Sequence, residues 1–294
     1  KTNSSFVGKI LEEMAEKYNF FVITAAMEKG LGLENFSINY KDRFFDVGIA
    51  ESNAVVVASG IAKKGIKVFV AIYSTFLQRA YDQIFHDICL QNLPVIFLID
   101  RSGIVGEDGP THHGIFDISF LRTLPNLKIF SPYSLENLKE TIENSIYEKM
   151  PVFIRYPRDI LPETLKEEIN QESKAVILAV GSMGFNSFSA YKKLKENGIN
   201  ISFIPVCKIV PIEEYFIKKI EKFDKIITVE ENILSCGFGS YLLEILSDRK
   251  IKKDLLRIGL PHIFIEHGDR NLLIDKYGLS TEKIYKKIEE FLND

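Results

Sequence analysis

The sequence predicts an α/β fold built as two doubly wound domains, and three observations lead there. Short apolar, β-rich runs alternate with stretches of helical period along the whole chain. Most of these runs are apolar at every position, as strands of a parallel sheet covered on both faces are. The alternation breaks once, at "ILPETLKEEINQES" (160–173), where a proline and many charges replace the periodicity, as in a linker. The domains are accordingly 1–165 and 166–294, and 294 residues with 46% hydrophobic content suffice for two medium cores.

The elements follow in order. In the first domain "FFVIT" (20–24), "RFFDV" (43–47), "KVFVAIY" (67–73), "VIFLID" (95–100), "LKIF" (127–130) and "VFIRY" (152–156) read as strands, with helical segments such as 51–64, 75–91 and 134–148 between them. In the second, "KAVILAVG" (174–181), "INISFIPV" (199–206), "DKIITVEEN" (224–232) and "LLRIGLP" (255–261) are strands, with helices near 183–196, 213–222, 239–247 and 281–292. No repeat of fixed period and no low-complexity tract interrupts them.

Composition narrows the function. The net charge is −3 and the 37 basic residues are scattered, so nucleic acid is not an expected partner. Cys89, Cys207 and Cys236 have no metal-ligand spacing and read as reduced core thiols of a cytosol-like compartment. No apolar run is long enough for a membrane span and no secretory leader opens the chain, so a soluble, cytoplasmic protein without membrane contact is expected.

In open parallel sheets, ligands bind beyond the carboxyl ends of the strands. Reading the residues after each strand gives Glu51 after "RFFDV", Tyr73 to Arg79 at the end of "KVFVAIY", Arg101 after "VIFLID", and Arg158 after "VFIRY". An acid, aromatics and three arginines thus share one rim, although Glu51 alone would equally suit the positive end of a helix dipole and Arg79 a solvated helix face. The loop "DRSGIVGEDGPTHHGIFD" (100–117) adds four glycines, Glu107, Asp108 and the pair His112-His113 to the same rim. A metal site there is disfavoured because adjacent histidines rarely converge on one ion.

Three strings, "DRFFDVGIAESNAVVVASGIA", "VAIYSTFLQRAYDQIFHDICLQNLPVIFLIDRSGIVGEDGPTHHGIFDISFLR" and "RYPRD", closely resemble 1-deoxy-D-xylulose-5-phosphate synthase, a thiamine-diphosphate enzyme family of the transketolase superfamily. The likeness continues through "VEENILSCGFGS" and "IGLPHIFIEHG" and covers nearly the whole chain. The resemblance implies a pyrimidine-binding domain over 1–165 followed by a transketolase C-terminal domain over 166–294. It implies condensation of pyruvate with D-glyceraldehyde 3-phosphate with loss of CO2, feeding isoprenoid, thiamine and pyridoxal biosynthesis, and a homodimer, for which the apolar helix 54–62 also argues.

By the same resemblance, Glu51 hydrogen-bonds N1′ of the cofactor aminopyrimidine, Phe76 packs on that ring, and Ile49 and Arg79 lie close to it. Tyr73, Arg101, Asp108, His112 and Arg158 line the substrate pocket, the arginines suiting a phosphate and His112 a developing alkoxide. The chain departs from the family at Ser52-Asn53, where Gln-His is common, and at His113, where Gln is usual.

The family binds Mg2+ and the cofactor diphosphate through a GDG motif with a downstream Asn, and this sequence contains no such stretch; "GEDGP" (106–110) lacks the flanking strand and Asn. With Lys rather than Met at position 1, the expectation is half of an enzyme, a fragment or one subunit of a split enzyme, inactive without its N-terminal diphosphate-binding partner. The alternatives are a transketolase C-terminal subunit and a non-catalytic assembly subunit. A GxG turn in "SCGFGSYLLEIL" (235–246) lacks the rest of a dinucleotide fingerprint.

Overall fold

The computed structural model describes residues 2–293. Among them the strands are β1 (Phe20–Thr24), β2 (Phe44–Asp46), β3 (Lys67–Tyr73), β4 (Val95–Asp100), β5 (Lys128–Phe130), β6 (Val152–Arg155), β7 (Ala175–Val180), β8 (Ser202–Val206), β9 (Lys208–Val210), β10 (Lys225–Ile233) and β11 (Asp254–Leu260). They form two sheets, ordered β2-β1-β3-β4-β6-β5-β9 and β11-β10-β7-β8. Every pairing is parallel except β5 with β9. The runs that are apolar throughout are the central strands: β4 and β7 are buried at every position, and the Val, Ile and Phe of β3 and β6 are buried with them.

Each run read as a strand is one, shortened or shifted by a few residues. Several features escaped the pattern, the helices Asn3–Ala15 and Arg270–Lys276 among them. The strand β9 lies after the linker in sequence yet adds to the first sheet, antiparallel to β5. Three residues carry too short a period to announce a strand, and only the partner edge makes them one. The segment expected as one helix over 75–91 is instead a succession of short pieces, an α turn at Ser74–Leu77, a 3-10 turn at Gln78–Ala80, a helical turn at Tyr81–Gln83 and a π-helical stretch at Ile84–Cys89. The Ser52 hydroxyl donates to the Arg79 carbonyl at 2.8 Å, capturing an acceptor that a continuous α-helix would use internally.

One ion pair ties the two sheets together. Arg155, at the end of β6, donates from Nε to both oxygens of Asp117 at 3.0 and 3.1 Å, and both side chains are fully buried. Its Nη2 also reaches the carbonyls of Gly114 and of Glu231, which belongs to β10 of the second sheet, each at 3.3 Å. Asp117 in turn accepts from the Ser74 hydroxyl at 2.9 Å, where the chain leaves β3. Removing one member of a buried pair leaves the other charge unmatched in low dielectric. We predict that Arg155→Met lowers the unfolding free energy by about 3 kcal/mol or more, measured by urea denaturation. A loss under about 1 kcal/mol would show that the pair is not a keystone of the packing.

Candidate functional site

Four parallel strands, β2, β3, β4 and β6, end on the same edge, and the rim residues follow them. After β2 the chain makes a tight turn in which the Asp46 carboxylate accepts from the amides of Ala26 and Gly48 at 2.7 and 2.9 Å, and Gly48 takes a φ of +72° that favours glycine. That turn delivers Glu51 as the first residue of the helix Glu51–Lys63, only 4% exposed. Ile49, two residues earlier, is 82% exposed.

Glu51 has a cationic partner in Arg79, whose Nη1 donates to Glu51 Oε1 at 2.8 Å. The same guanidinium lies over the Phe76 ring, 4.8 Å from its centroid. Phe76 stacks on Tyr73 with centroids 5.9 Å apart, and His112 meets Phe76 edge-on at 5.2 Å. Arg101 completes the row, its guanidinium 4.3 Å from the Tyr73 centroid. The register of β3 on β4 sets Tyr73 opposite Asp100, which puts the tyrosine ring beside the residue that follows. Glu51, Arg79, Phe76, Tyr73, Arg101 and His112 therefore form one continuous chain of contacts.

Arg158 and Asp108 form a second, looser group, with Nη1 3.9 Å from Oδ2 and both side chains about half exposed. Beside Phe76 and Arg79 opens a cleft of 220 Å³ walled by Phe116, Phe120 and the exposed Phe264. Another of 150 Å³ lies between Arg158 and Arg270.

Several supporting residues were not singled out in the sequence. Asp100 is fully buried, burial pushes its carboxyl pKa up, and its Oδ1 accepts from the backbone and the Nη1 of Arg101 at 2.6 and 3.0 Å. Arg101 itself has a φ of +62°, a strained conformation for a residue with a Cβ. An acid closing a wholly apolar strand was the available signal. The second sheet shapes the glycine-rich loop: Glu231, buried at the end of β10, accepts from the Ile104 amide at 2.7 Å, and Arg270 joins Glu231, the Ile104 carbonyl and Asp159. Glu231 and Arg270 are far from the loop in sequence, so no local pattern announces them.

The GxG turn is also accounted for. Fully buried Glu230, its pKa lifted to about 7 by burial, accepts from the amides of Phe238 and Gly239 at 2.8 and 2.9 Å. The chain's own carboxylate thus fills the helix N-terminus that a nucleotide phosphate would need.

Comparison with known proteins matches two families in succession along the chain. The family described as transketolase, pyrimidine binding domain, matches residues 2–164, and that described as transketolase, C-terminal domain, matches 166–284. The chain is 47% identical over 294 residues to 1-deoxy-D-xylulose-5-phosphate synthase of Caldanaerobacter subterraneus subsp. tengcongensis, covering 96% of this chain and 47% of that protein. It is 45% identical to the synthase of Dictyoglomus thermophilum, covering 100% of this chain and 50% of that one. The chain thus spans about half the length of the curated relatives it matches. Among solved structures, one titled "Split gene transketolase, inactive beta4 tetramer" superposes with a TM-score of 0.87 at 25% identity, over 99% of this chain and 98% of that one. Campylobacter jejuni transketolase shares the fold, with a TM-score of 0.84 at 20% identity over 98% of this chain and 46% of that one.

His113 provides a test of how the loop is held. Its Nδ1 accepts from the Val105 amide at 3.1 Å and its Nε2 contacts the Glu266 carbonyl at 3.1 Å, an arrangement that suits the neutral ring protonated at Nε2. Burial lowers its pKa below the ordinary histidine value of 6.5. A lowered folded-state pKa means that this stability is fully present above the unfolded value and declines as pH falls through it toward the folded one. A Gln side chain offers the same acceptor and donor without titrating. We predict that His113→Gln folds normally and flattens the stability loss seen as pH falls below about 6.5, measured as thermal midpoint against pH. Parallel pH curves for the two proteins would refute this.

Proposed function

The chain belongs to the transketolase family, and from that premise we propose that it is the pyrimidine-binding and C-terminal half of a 1-deoxy-D-xylulose-5-phosphate synthase, a transferase that condenses pyruvate with D-glyceraldehyde 3-phosphate and releases CO2. The observation that carries the reading is the unbroken row of contacts from buried Glu51 through Arg79, Phe76 and Tyr73 to Arg101. It sets an acid and an aromatic face beside an anion-binding arginine, the combination a thiamine cofactor and a phosphorylated substrate require together.

The residues fit the aminopyrimidine end of thiamine diphosphate, because a buried carboxylate and a phenyl face suit a flat ring bearing a basic nitrogen. When bound, thiamine diphosphate would supply a nucleophilic carbon for the pyruvate carbonyl and a sink for the electron pair left by CO2. Glu51 shares a proton with ring nitrogen N1′, and Arg79 fixes the carboxylate that does so. Ile49 and Phe76 give the ring apolar cover. His112, whose Nδ1 is engaged with the Thr111 hydroxyl at 2.9 Å, has Nε2 for the acceptor's oxygen, and Asp108 orients a hydroxyl. Arg101 and Arg158 bind the phosphate. The diphosphate and Mg2+ are assigned to the diphosphate-binding half of the enzyme.

The structure titled as a split-gene transketolase is a chain of nearly the same extent, and its title describes a tetramer that is inactive. By analogy this chain assembles with itself.

The test combines this chain with the N-terminal half of the Caldanaerobacter relative, thiamine diphosphate and Mg2+, and measures CO2 release from pyruvate. Release should require both halves and rise with D-glyceraldehyde 3-phosphate. Glu51→Gln should reduce it by about a hundredfold or more while leaving the thermal midpoint in place. Turnover by this chain alone, or near-parental turnover of the Gln variant, would overturn the assignment. Use of ketose donors in place of pyruvate would favour a transketolase subunit, and binding without any turnover an assembly role.

A further inference from the structure

We propose that the first turn of the opening helix is a positioning element for both anion-binding arginines, with Ser4 holding the Arg101 side chain and Asn3 holding the backbone that carries Arg158. This rests on the reading of Arg101 and Arg158 as the phosphate-binding pair.

The turn belongs to the helix Asn3–Ala15. Asn and Ser near a helix start ordinarily cap it. Here the cap is supplied by their neighbours: Thr2 accepts from the Ser5 amide, and the Ser5 hydroxyl reaches back to Thr2. Asn3 and Ser4 are left free for other contacts, and both are buried, 0% and 4% exposed. A buried polar side chain that does not cap its own helix must find partners elsewhere.

Their partners are the two loops of the site. The Asn3 side chain donates to the carbonyls of Pro157 and Asp159 at 2.9 and 2.5 Å and accepts from the Leu161 amide at 3.2 Å. Its backbone amide donates to the Arg158 carbonyl at 3.3 Å. Four bonds from one residue pin the segment 157–161 on either side of Arg158. Ser4 Oγ accepts from Arg101 Nη1 at 2.8 Å, and the same nitrogen meets the Gly30 carbonyl at 2.9 Å and Asp100 at 3.0 Å. With both Nη1 hydrogens donated, to Ser4 Oγ and the Gly30 carbonyl, Nε and Nη2 remain for an anion.

Close packing makes the turn a fixed support. A Cβ on Gly8 would lie 2.0 Å from the Gly32 carbonyl oxygen, and one on Gly32 would lie 2.7 Å from the Ser4 carbonyl oxygen. A Cβ on Gly30 would fall 1.7 Å from the Tyr73 hydroxyl. The helix, the 30–32 loop and Tyr73 are therefore in backbone-level contact around the Arg101 guanidinium. A shift of the turn would move the arginine with it.

The experiment measures the affinity of the full chain for glycerol 3-phosphate by calorimetry, at a temperature where every variant is fully folded. Ser4→Ala and Asn3→Ala should each weaken binding by about tenfold, the size of one lost charge-assisted or buried hydrogen bond. The decisive readout is a double-mutant cycle, because a merely structural defect would persist whatever stands at the arginine. Ser4→Ala should cost nothing further in an Arg101→Met background, and Asn3→Ala nothing further in an Arg158→Met background. If the parent binds and Arg101→Met and Arg158→Met weaken binding measurably, yet Ser4→Ala and Asn3→Ala bind as the parent or their losses add independently, the positioning role is wrong and the anion site stands. If the parent itself does not bind glycerol 3-phosphate, the reading of the arginines falls and this inference with it.

Discussion

The buried pair of Arg155 and Asp117 is the constraint on which the rest of this molecule depends. One guanidinium touches a carboxylate that anchors Ser74, a carbonyl of the glycine-rich loop and a carbonyl of the second sheet. These contacts leave the charge little freedom, because each partner is buried and each would be orphaned by a shift. The positions of Phe76, just beyond Ser74, and of the loop that carries Asp108 and His112 are tied to the same pair. Precision in the candidate site thus begins in an interaction that no ligand touches.

The second sheet contributes more than packing. Glu231 and Arg270 grip the loop at Ile104 and reach Asp159, while His113 and Glu266 join loop and second domain near its other end. Glycines 103 and 106 allow this, since a Cβ at either would collide with Glu231 or approach the backbone at 268–270. On the opposite side, the opening helix holds the Arg158 segment and the Arg101 guanidinium. The rim of the first sheet is therefore clasped between an element before it in sequence and one well after it. A long polar loop held this way has most of its ordering cost met before any ligand arrives.

The strand runs were legible because burial on both faces leaves an unmistakable apolar string, as in "VIFLID" and "KAVILAVG". The strand-end rule then pointed to Glu51, Tyr73, Arg101 and Arg158, and the resemblance attached roles to them. What was not legible depends on distance along the chain. The strand β9 exists only because β5 offers an edge, and the helix expected over 75–91 is broken where a side chain from another helix takes a backbone acceptor. Ser4, Asn3, Glu231 and Arg270 look in sequence like ordinary caps and surface charges.

The amino-acid sequence alone determined the doubly wound α/β plan and the chemical types that line the rim, because strand period, apolar runs and turn residues are local properties. Tertiary structure alone decided which of those side chains meet. It paired Arg79 with Glu51, laid Arg101 on Tyr73 and clasped the loop between two distant elements. Such contacts depend on sheet order and register, which set Tyr73 beside Asp100 and Ile99 beside Arg155. Register is a relation between strands, and no single stretch of residues contains it.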